Sequence, residues 1–243
     1  MTLLGLESNG TGPLLVWLHG FTQTKHAAPE FRSILTERFE VLTVDLPGHG
    51  ENAHIRANLP RAANLLADIL PNEPFIIAGY SMGARIALHL ALQHPHRING
   101  VATIGATRGI EDAQARTERR SRDADLAYHV RRVGSEVFLA EWLSQPMFAN
   151  LPPEAPEARS RNAEGLALAL EELGTGTQEW LGARLAEIVV PYIALAGTLD
   201  TKFATEAQAL AEATREGTCW LIENALHPAH MERPDVTATL IRF

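Results

Sequence analysis

The sequence has one cysteine, no excess of basic residues and no apolar run long enough to span a membrane. Cys219 stands alone among 243 residues, so no internal disulfide can form, and we expect a reducing, cytoplasmic environment. The first apolar run, "LLVWL" at 14–18, is far shorter than the ~20 residues of a membrane-spanning helix. The N-terminus also lacks the basic segment that opens a signal peptide. We therefore predict no membrane partner.

The charge balance and the missing motifs exclude further classes of partner. Lysine and arginine total 21 against 29 acidic residues, and a net charge of -8 argues against the basic surface that nucleic acid requires. The histidines have no metal-ligand spacing, and no glycine-rich phosphate loop or dinucleotide fingerprint is present. We predict no nucleic-acid partner, no metal and no cofactor. Nothing in the sequence indicates an oligomeric state.

Short apolar runs alternate with amphipathic stretches along most of the chain. The runs typical of buried strands are 14–18, 41–45, 75–79, 101–105, 191–197 and 218–222. The helical patterns between them are clearest at 59–70, 82–93 and 204–215. Strands that alternate with helices predict an α/β fold, with a parallel sheet covered by helices on both faces.

The alternation fails between residues 107 and 181. That stretch has few strand patterns, is rich in arginine and glutamate, and is helical in period at "SEVFLAEWL" and "AEGLALALEEL". We interpret 107–181 as a helical cap inserted into a core domain formed by 1–106 and 182–243. The proline-rich "NLPPEAPEA" at 150–158 predicts a bend within the cap.

One serine stands at the centre of a strand-to-helix transition. In "FIIAGYSMGARIAL" the strand pattern ends at Gly79 and the helical pattern begins after Ser81. Gly79 and Gly83 remove side chains that would clash in so sharp a turn, which is the pattern of a G-x-S-x-G nucleophile elbow. The alternative is an ordinary helix start at which Ser81 caps backbone N–H groups.

The partners that a nucleophilic serine needs follow two later strands. Asp200 comes directly after the strand at 191–197, and His227 follows the strand at 218–222. A histidine that accepts the serine proton and an acid that orients the histidine complete a catalytic triad in the order Ser81, Asp200, His227. His230 could be a second acid or base, although a packing role is the simpler interpretation.

The loop after the first strong strand supplies a further element. "WLHGF" places Phe21 opposite the elbow, where its backbone N–H and that of Met82 can form an oxyanion hole. An aromatic wall is an equally compatible role for Phe21. We interpret His19 and His49 as structural residues of their turns.

Arginines are concentrated at the start of the predicted cap. Residues 108–132 contain seven arginines and no lysine, which favours a small anionic substrate if these side chains face a cleft. Interleaved acidic residues make a solvated, ion-paired helix face an open alternative. Arg85 is more informative, since it lies one helical turn beyond Ser81, where an apolar residue is the default. It either binds a ligand or neutralises a buried carboxylate.

Taken together, "HGF", "DLPGHG", "GYSMG" and the aspartate and histidine loops resemble the α/β-hydrolase family over nearly the whole chain. Four stretches resemble more closely the 2-succinyl-6-hydroxy-2,4-cyclohexadiene-1-carboxylate synthases, pyruvate-eliminating enzymes of menaquinone biosynthesis. These are "GYSMGAR", "ARTERRSRD", "FLAEWLSQPMFANL" and "GTLDTKF" followed by "ALHPAHMERP". The resemblance implies a triad of Ser81, Asp200 and His227. It also implies a substrate pocket lined by Tyr80, Arg85, Arg119, Trp142 and Arg159.

The expected activity is therefore that of a carbon-oxygen lyase, in which the activated serine removes a proton and pyruvate is expelled. The alternative is a carboxylesterase or lactone hydrolase that acts on a small acidic substrate, because the same triad serves both reactions. A ligand receptor without catalysis is a third possibility, but that interpretation predicts a damaged triad, and all three members are present.

Overall fold

A computed structural model describes residues 2–243 and shows one seven-stranded sheet covered by helices on both faces. The strands are β1 Glu7–Asn9, β2 Leu14–Leu18, β3 Glu40–Thr43, β4 Phe75–Tyr80, β5 Ile98–Ile104, β6 Tyr192–Gly197 and β7 Gly217–Ile222. The spatial order is β1-β3-β2-β4-β5-β6-β7, and every neighbouring pair is parallel except β1 with β3.

Six of these strands were predicted, and their bounds shift by a few residues. The run at 41–45 leaves the sheet after Thr43, whereas the run at 101–105 begins earlier, at Ile98. Strand β1 was not predicted, because "ESN" carries no apolar residue and pairs along the sheet edge as a short antiparallel strand. The α/β fold with a mostly parallel sheet is confirmed.

Helices cover both faces of the sheet, and most of them lie between successive strands along the chain. They are α1 Pro29–Leu35, α2 Leu59–Ile69, α3 Met82–Gln93, α4 Ala113–Leu143, α5 Ala163–Leu173, α6 Thr201–Ala213, α7 Ala229–Glu232 and α8 Pro234–Leu240. Helices α2, α3 and α6 contribute to the core on one face, and α1 and α8 contribute to the core on the other. Among residues 2–243, no helix combines the length and the apolar character that crossing a membrane would need.

Side-chain alternation along the strands explains why both faces are apolar. In β2, Val16 and Leu18 join the core under α2 and α3, while Leu15 and Trp17 join the core under α1 and α8. All four side chains are at most 1% exposed. A strand that is buried on both sides must be apolar at every position, which is the pattern seen in the sequence.

The segment between β5 and β6 is helical and has a small core of its own. Helices α4 and α5 pack together there around a buried cluster of Ala127, Val130, Phe138, Leu166, Ala167 and Leu170. The proline-rich stretch at 150–158 has irregular backbone that ends in a short 3₁₀ turn, Pro156–Ala158. The boundaries of the cap, 107 and 181, stay a prediction.

Candidate active site

Ser81 occupies a strained turn between β4 and α3. Its φ of 50° and ψ of −106° lie outside the helical region, and its side chain makes no capping bond to the helix. A Cβ on Gly79 would lie 2.6 Å from the backbone carbon of Gly83, and one on Gly83 would lie 2.3 Å from the carbonyl oxygen of Leu18. The turn therefore requires both glycines, and the helix-cap interpretation of Ser81 is not supported.

The Ser81 hydroxyl is hydrogen-bonded to His227, and His227 contacts Asp200, so the structure brings the predicted partners together. It lies 3.0 Å from Nε2 of His227, and Nδ1 of His227 lies 2.7 Å from Oδ2 of Asp200. With the Nδ1–H tautomer, the imidazole donates to the carboxylate and accepts from the hydroxyl. Gly105, with φ of +60°, makes room for the ring, since a Cβ there would lie 2.7 Å from Cε1 of His227. This arrangement suits an activated serine.

The backbone amides of Phe21 and Met82 are free for a ligand oxygen. Phe21, Ser81 and Met82 line the same cavity, and no hydrogen bond among residues 2–243 uses either amide N–H.

Nearby, His19 accepts a hydrogen bond from the N–H of Leu46 at 3.0 Å. His49 accepts one from the N–H of Thr22 at 3.2 Å. Burial lowers the pKa of both imidazoles, that of His49 to about 3, so they act as neutral acceptors.

A cavity of about 390 Å³ opens beside Ser81 and extends under the helical segment. Four cationic side chains line it, but only one carboxylate, that of Asp123, does so. The cations are Arg85, Arg119, Arg122 and Lys202. Asp123 is already engaged, because it accepts from Arg119 at 2.8 Å and from the N–H of Gly176 at 3.1 Å. The cavity therefore carries excess positive charge and suits an anionic ligand.

Arg85 is the most unusual of these cations. It is 7% exposed, its Nη1 is buried without a hydrogen-bond partner, and it takes part in no ion pair among residues 2–243. Burial, followed by the neighbouring charge of Arg119, lowers the pKa of Arg85 to about 10. Asp123 is close enough to offset part of the charge of Arg85, but its carboxylate forms its ion pair with Arg119 and not with Arg85.

The remaining residues implied by the resemblance occupy different environments. Trp142 lines the cavity, with its ring 5.1 Å from that of Phe21. Tyr80 is buried between the rings of His227 and His230 and is not among the cavity-lining residues. Arg159 also lies outside the cavity lining, and its guanidinium is engaged by Glu154.

His230 has the environment of a packing residue. It is fully buried against the rings of Tyr80, Trp17 and Phe31, at centroid distances of 4.5, 5.3 and 5.3 Å. Among residues 2–243, neither ring nitrogen of His230 has a hydrogen-bond partner, and burial lowers the pKa of His230 to about 3. An imidazole that is neutral near pH 7 and does not line the cavity is unsuited to proton transfer in a reaction there.

Lys202 and Arg122 line the cavity but were not singled out in the sequence. Lys202 lies two residues beyond Asp200 in "LDTKF", so its proximity to the aspartate was the available signal. Burial, and then the charge of Arg119, lowers the pKa of Lys202, and both side chains line the cavity. Arg122 could not be distinguished by pattern from its many neighbouring arginines. Among residues 2–243, no group of three or more His, Cys, Asp or Glu side chains is placed to hold a metal ion.

The parallel sheet and a serine on this type of elbow define the α/β-hydrolase class. The family model described as alpha/beta hydrolase fold matches residues 13–234. The chain is also 35% identical over 250 residues to 2-succinyl-6-hydroxy-2,4-cyclohexadiene-1-carboxylate synthase of Salmonella typhimurium, covering 95% of this chain and 94% of that relative. The chain therefore belongs to the α/β-hydrolase family and, within it, to the family of these synthases.

Two solved structures resemble this chain over nearly its whole length. MenH from S. aureus superposes with a TM-score of 0.89 and 31% identity, covering 99% of this chain and 97% of that one. A thermophilic esterase from Thermogutta terrifontis, solved with malate bound, superposes with a TM-score of 0.81 and 26% identity. That match covers 98% of this chain and 91% of the esterase. The scaffold is thus shared by a synthase-related protein and an esterase.

Proposed function

We propose that this chain is a lyase of menaquinone biosynthesis. It converts 2-succinyl-5-enolpyruvyl-6-hydroxy-3-cyclohexene-1-carboxylate to 2-succinyl-6-hydroxy-2,4-cyclohexadiene-1-carboxylate and pyruvate, the product being the compound after which the relatives are named. The observation that carries the proposal is the unpaired, buried Arg85 in the cavity that contains Ser81. We place the reaction in the cytoplasm, since the single cysteine fits a reducing compartment.

The cationic cavity fits this substrate because the substrate is an anion with ring, succinyl and enolpyruvyl carboxylates. A guanidinium kept out of water without a partner loses hydration that a carboxylate can replace. Arg85 and Arg119 are the carboxylate ligands in this proposal, and Trp142 forms an apolar wall opposite Phe21. Tyr80 supports the site from beneath through its contact with the His227 ring.

The triad acts as a base in this reaction rather than as a nucleophile. His227, oriented by Asp200, takes the proton of Ser81, and the serine oxygen removes the proton α to the succinyl ketone. The electron pair of the broken C–H bond forms an enolate, whose oxygen is held by the amides of Phe21 and Met82. The ketone then re-forms from the enolate, and the electron pair shifts the ring double bond so that the ring becomes a conjugated diene. The C–O bond to the enolpyruvyl group breaks, and the leaving group takes up a proton to become pyruvate.

A carboxylesterase or lactonase is the second candidate, and the similarity to the T. terrifontis esterase favours it. In that reaction Ser81 attacks a carbonyl carbon, and the same amides hold the tetrahedral oxyanion. The triad distances are equally suited to both reactions, so the chemistry must be decided by assay.

The test is pyruvate release by the purified protein without added metal or nucleotide. We expect stoichiometric pyruvate and diene from the enolpyruvyl substrate, with little hydrolysis of simple esters. Ser81→Ala, Asp200→Asn and His227→Ala should each greatly reduce turnover, and a double variant should be no worse than the more severe single variant, since the three groups act as a unit. Rapid ester hydrolysis without pyruvate release would establish the second candidate instead.

A further inference from the structure

The loop that carries Phe21 has a conformation that needs external support. We call residues 19–24 the oxyanion loop. Within it Thr22 is fully buried and has φ of 68°, a left-handed conformation that is costly for a β-branched residue. The N–H of Phe21 belongs to the peptide bond that joins Gly20 to Phe21, one residue before Thr22, so a change in the Thr22 backbone shifts the segment that carries this amide. Contacts from outside the oxyanion loop are therefore needed to stabilise this backbone conformation.

A segment of the predicted cap supplies that support. Residues 154–160, which we call the strap, lie along the oxyanion loop, and Arg159 forms an antiparallel bridge with Gln23. The N–H of Ser160 donates to the carbonyl of Thr22 at 2.8 Å, and the N–H of Thr24 donates to the carbonyl of Ala158 at 3.0 Å. The strap therefore holds the loop through strand-like backbone hydrogen bonds.

The Arg159 side chain adds a contact at the strained residue itself. Its Nη1 donates to Oγ1 of Thr22 at 2.7 Å, and its Nε donates to Oε2 of Glu154 at 2.7 Å. Both side chains of the Arg159–Glu154 ion pair are only 9% exposed. A guanidinium held on two sides in this way cannot reach into the cavity without losing both contacts.

We propose that Arg159 is a positioning residue that fixes the oxyanion loop through Thr22, and that it is not a ligand of a substrate carboxylate. The proposal rests on the oxyanion hole assigned under the proposed function. It explains why an arginine lies beside the site, paired and outside the cavity, while Arg85 lies inside it and unpaired.

The experiment separates positioning from substrate binding by changing the partner instead of the arginine. Thr22→Ala removes the hydroxyl that Arg159 holds and leaves the Arg159–Glu154 pair intact, whereas Thr22→Ser keeps a hydroxyl and is the matched control. We expect Thr22→Ala and Arg159→Met to lower kcat by roughly tenfold to a hundredfold, with KM changed less than about threefold, because a displaced amide weakens only transition-state binding. Thr22→Ser should stay within about threefold of wild type.

The double variant completes a thermodynamic cycle. If the two residues act through one contact, Thr22→Ala with Arg159→Met should be no slower than Arg159→Met alone. The proposal is overturned if Arg159→Met raises KM while Thr22→Ala is normal, because Arg159 would then bind the substrate directly. It is also overturned if the two losses multiply. Circular dichroism and melting temperature confirm that each variant is folded.

A second substrate keeps this proposal distinct from the proposed function. Hydrolysis of p-nitrophenyl acetate also requires the oxyanion hole, so the same kcat pattern on that ester supports the role of Arg159. A wild-type protein that hydrolyses the ester and releases no pyruvate would overturn the lyase assignment alone. An unchanged kcat for Arg159→Met on both substrates would overturn the positioning role.

Discussion

Two arginines beside the site show how one residue type can serve opposite purposes. Arg159 has its charge neutralised by Glu154 and is therefore part of the framework. Arg85 is also buried but forms no ion pair among residues 2–243, and the nearby charge of Asp123 offsets only part of the cost of removing a cation from water. The lowered pKa of Arg85, about 10, reflects that cost. A residue that destabilises the fold in this way is expected to have a functional reason.

Replacing Arg85 should therefore change activity and stability in opposite directions. We expect Arg85→Met to reduce kcat/KM by roughly tenfold to a hundredfold, the value of a charge-assisted contact of ~1.5–3 kcal/mol. The free energy of unfolding should rise, by on the order of 1 kcal/mol, because an uncompensated buried charge is removed. Steady-state kinetics and urea unfolding measure the two effects.

The matched control is Arg132→Met, which removes an exposed arginine from helix α4. It should leave both quantities unchanged within error. A loss of stability for Arg85→Met with normal kinetics would instead make Arg85 a structural residue, and the anionic-substrate argument would lose its main support.

Helix α4 shows how a single residue shapes an element. Gly134 interrupts the helix with φ of 81° and ψ of 164°, a conformation almost confined to glycine. Both parts of the helix reach the cavity, the first through Arg119 and Arg122 and the second through Trp142. Across the interruption, Nε2 of His129 and Oε2 of Glu141 are joined by a hydrogen bond of 2.6 Å. The break in the helix thus lets two helical segments cover one cavity.

A substitution at Gly134 should contradict ordinary helix propensity. Alanine normally stabilises a helix by about 1 kcal/mol relative to glycine. At this position we expect Gly134→Ala to destabilise the protein by ~1–3 kcal/mol, because the backbone conformation is unfavourable for any residue with a Cβ. Apart from its chain neighbours and the nearby helix backbone, no atom of residues 2–243 lies within 4 Å of the added methyl group, so a clash with another element cannot be the cause.

The midpoint of urea unfolding measures the change in stability, and Arg132→Ala in the same helix is the control. A displaced Trp142 should also raise KM, because this side chain lines the cavity. A stabilised Gly134→Ala variant would show that the helix runs straight through this position in solution.

At the scale of the whole molecule, several histidines are buried as neutral groups. Burial is the main cause that lowers the pKa of His49 to about 3, of His89 to about 4 and of His230 to about 3. The ordinary value in the unfolded chain is about 6.5. Below that value the unfolded chain binds protons that the folded chain does not bind, so falling pH favours unfolding.

We therefore expect stability to be complete above about pH 6.5 and to fall as the pH drops toward 4. Each of these histidines contributes a slope of up to ~1.4 kcal/mol per pH unit within that window. Urea unfolding at a series of pH values measures the total slope. His230→Phe, which keeps an aromatic ring against Tyr80, should make the slope shallower by about one proton and leave it unchanged above pH 7. An equal slope in the variant would show that His230 does not titrate differently on folding.

Local patterns in the sequence were sufficient to predict the scaffold and to single out Ser81, Asp200 and His227, which the structure brings into contact. Strands such as β2 and β4 are apolar at every position because both faces are covered, and the flanking glycines of Ser81 indicate the sharp turn directly. Asp200 and His227 follow the ends of parallel strands, which lie at one edge of the sheet in any such fold. The strand pattern, the sharp turn and the strand-end positions each depend on residues that are close together in the sequence, so composition and spacing reveal them.

Only the tertiary structure distinguished the roles of the charged residues. The sequence suggests both Arg85 and Arg159 as residues of the substrate pocket, and it cannot show that Glu154 forms an ion pair with Arg159 while Arg85 forms none among residues 2–243. Such pairing depends on where side-chain ends meet after distant segments fold together. The energy of a buried charge is decided by its nearest few ångströms of surroundings, and those surroundings exist only in the folded chain.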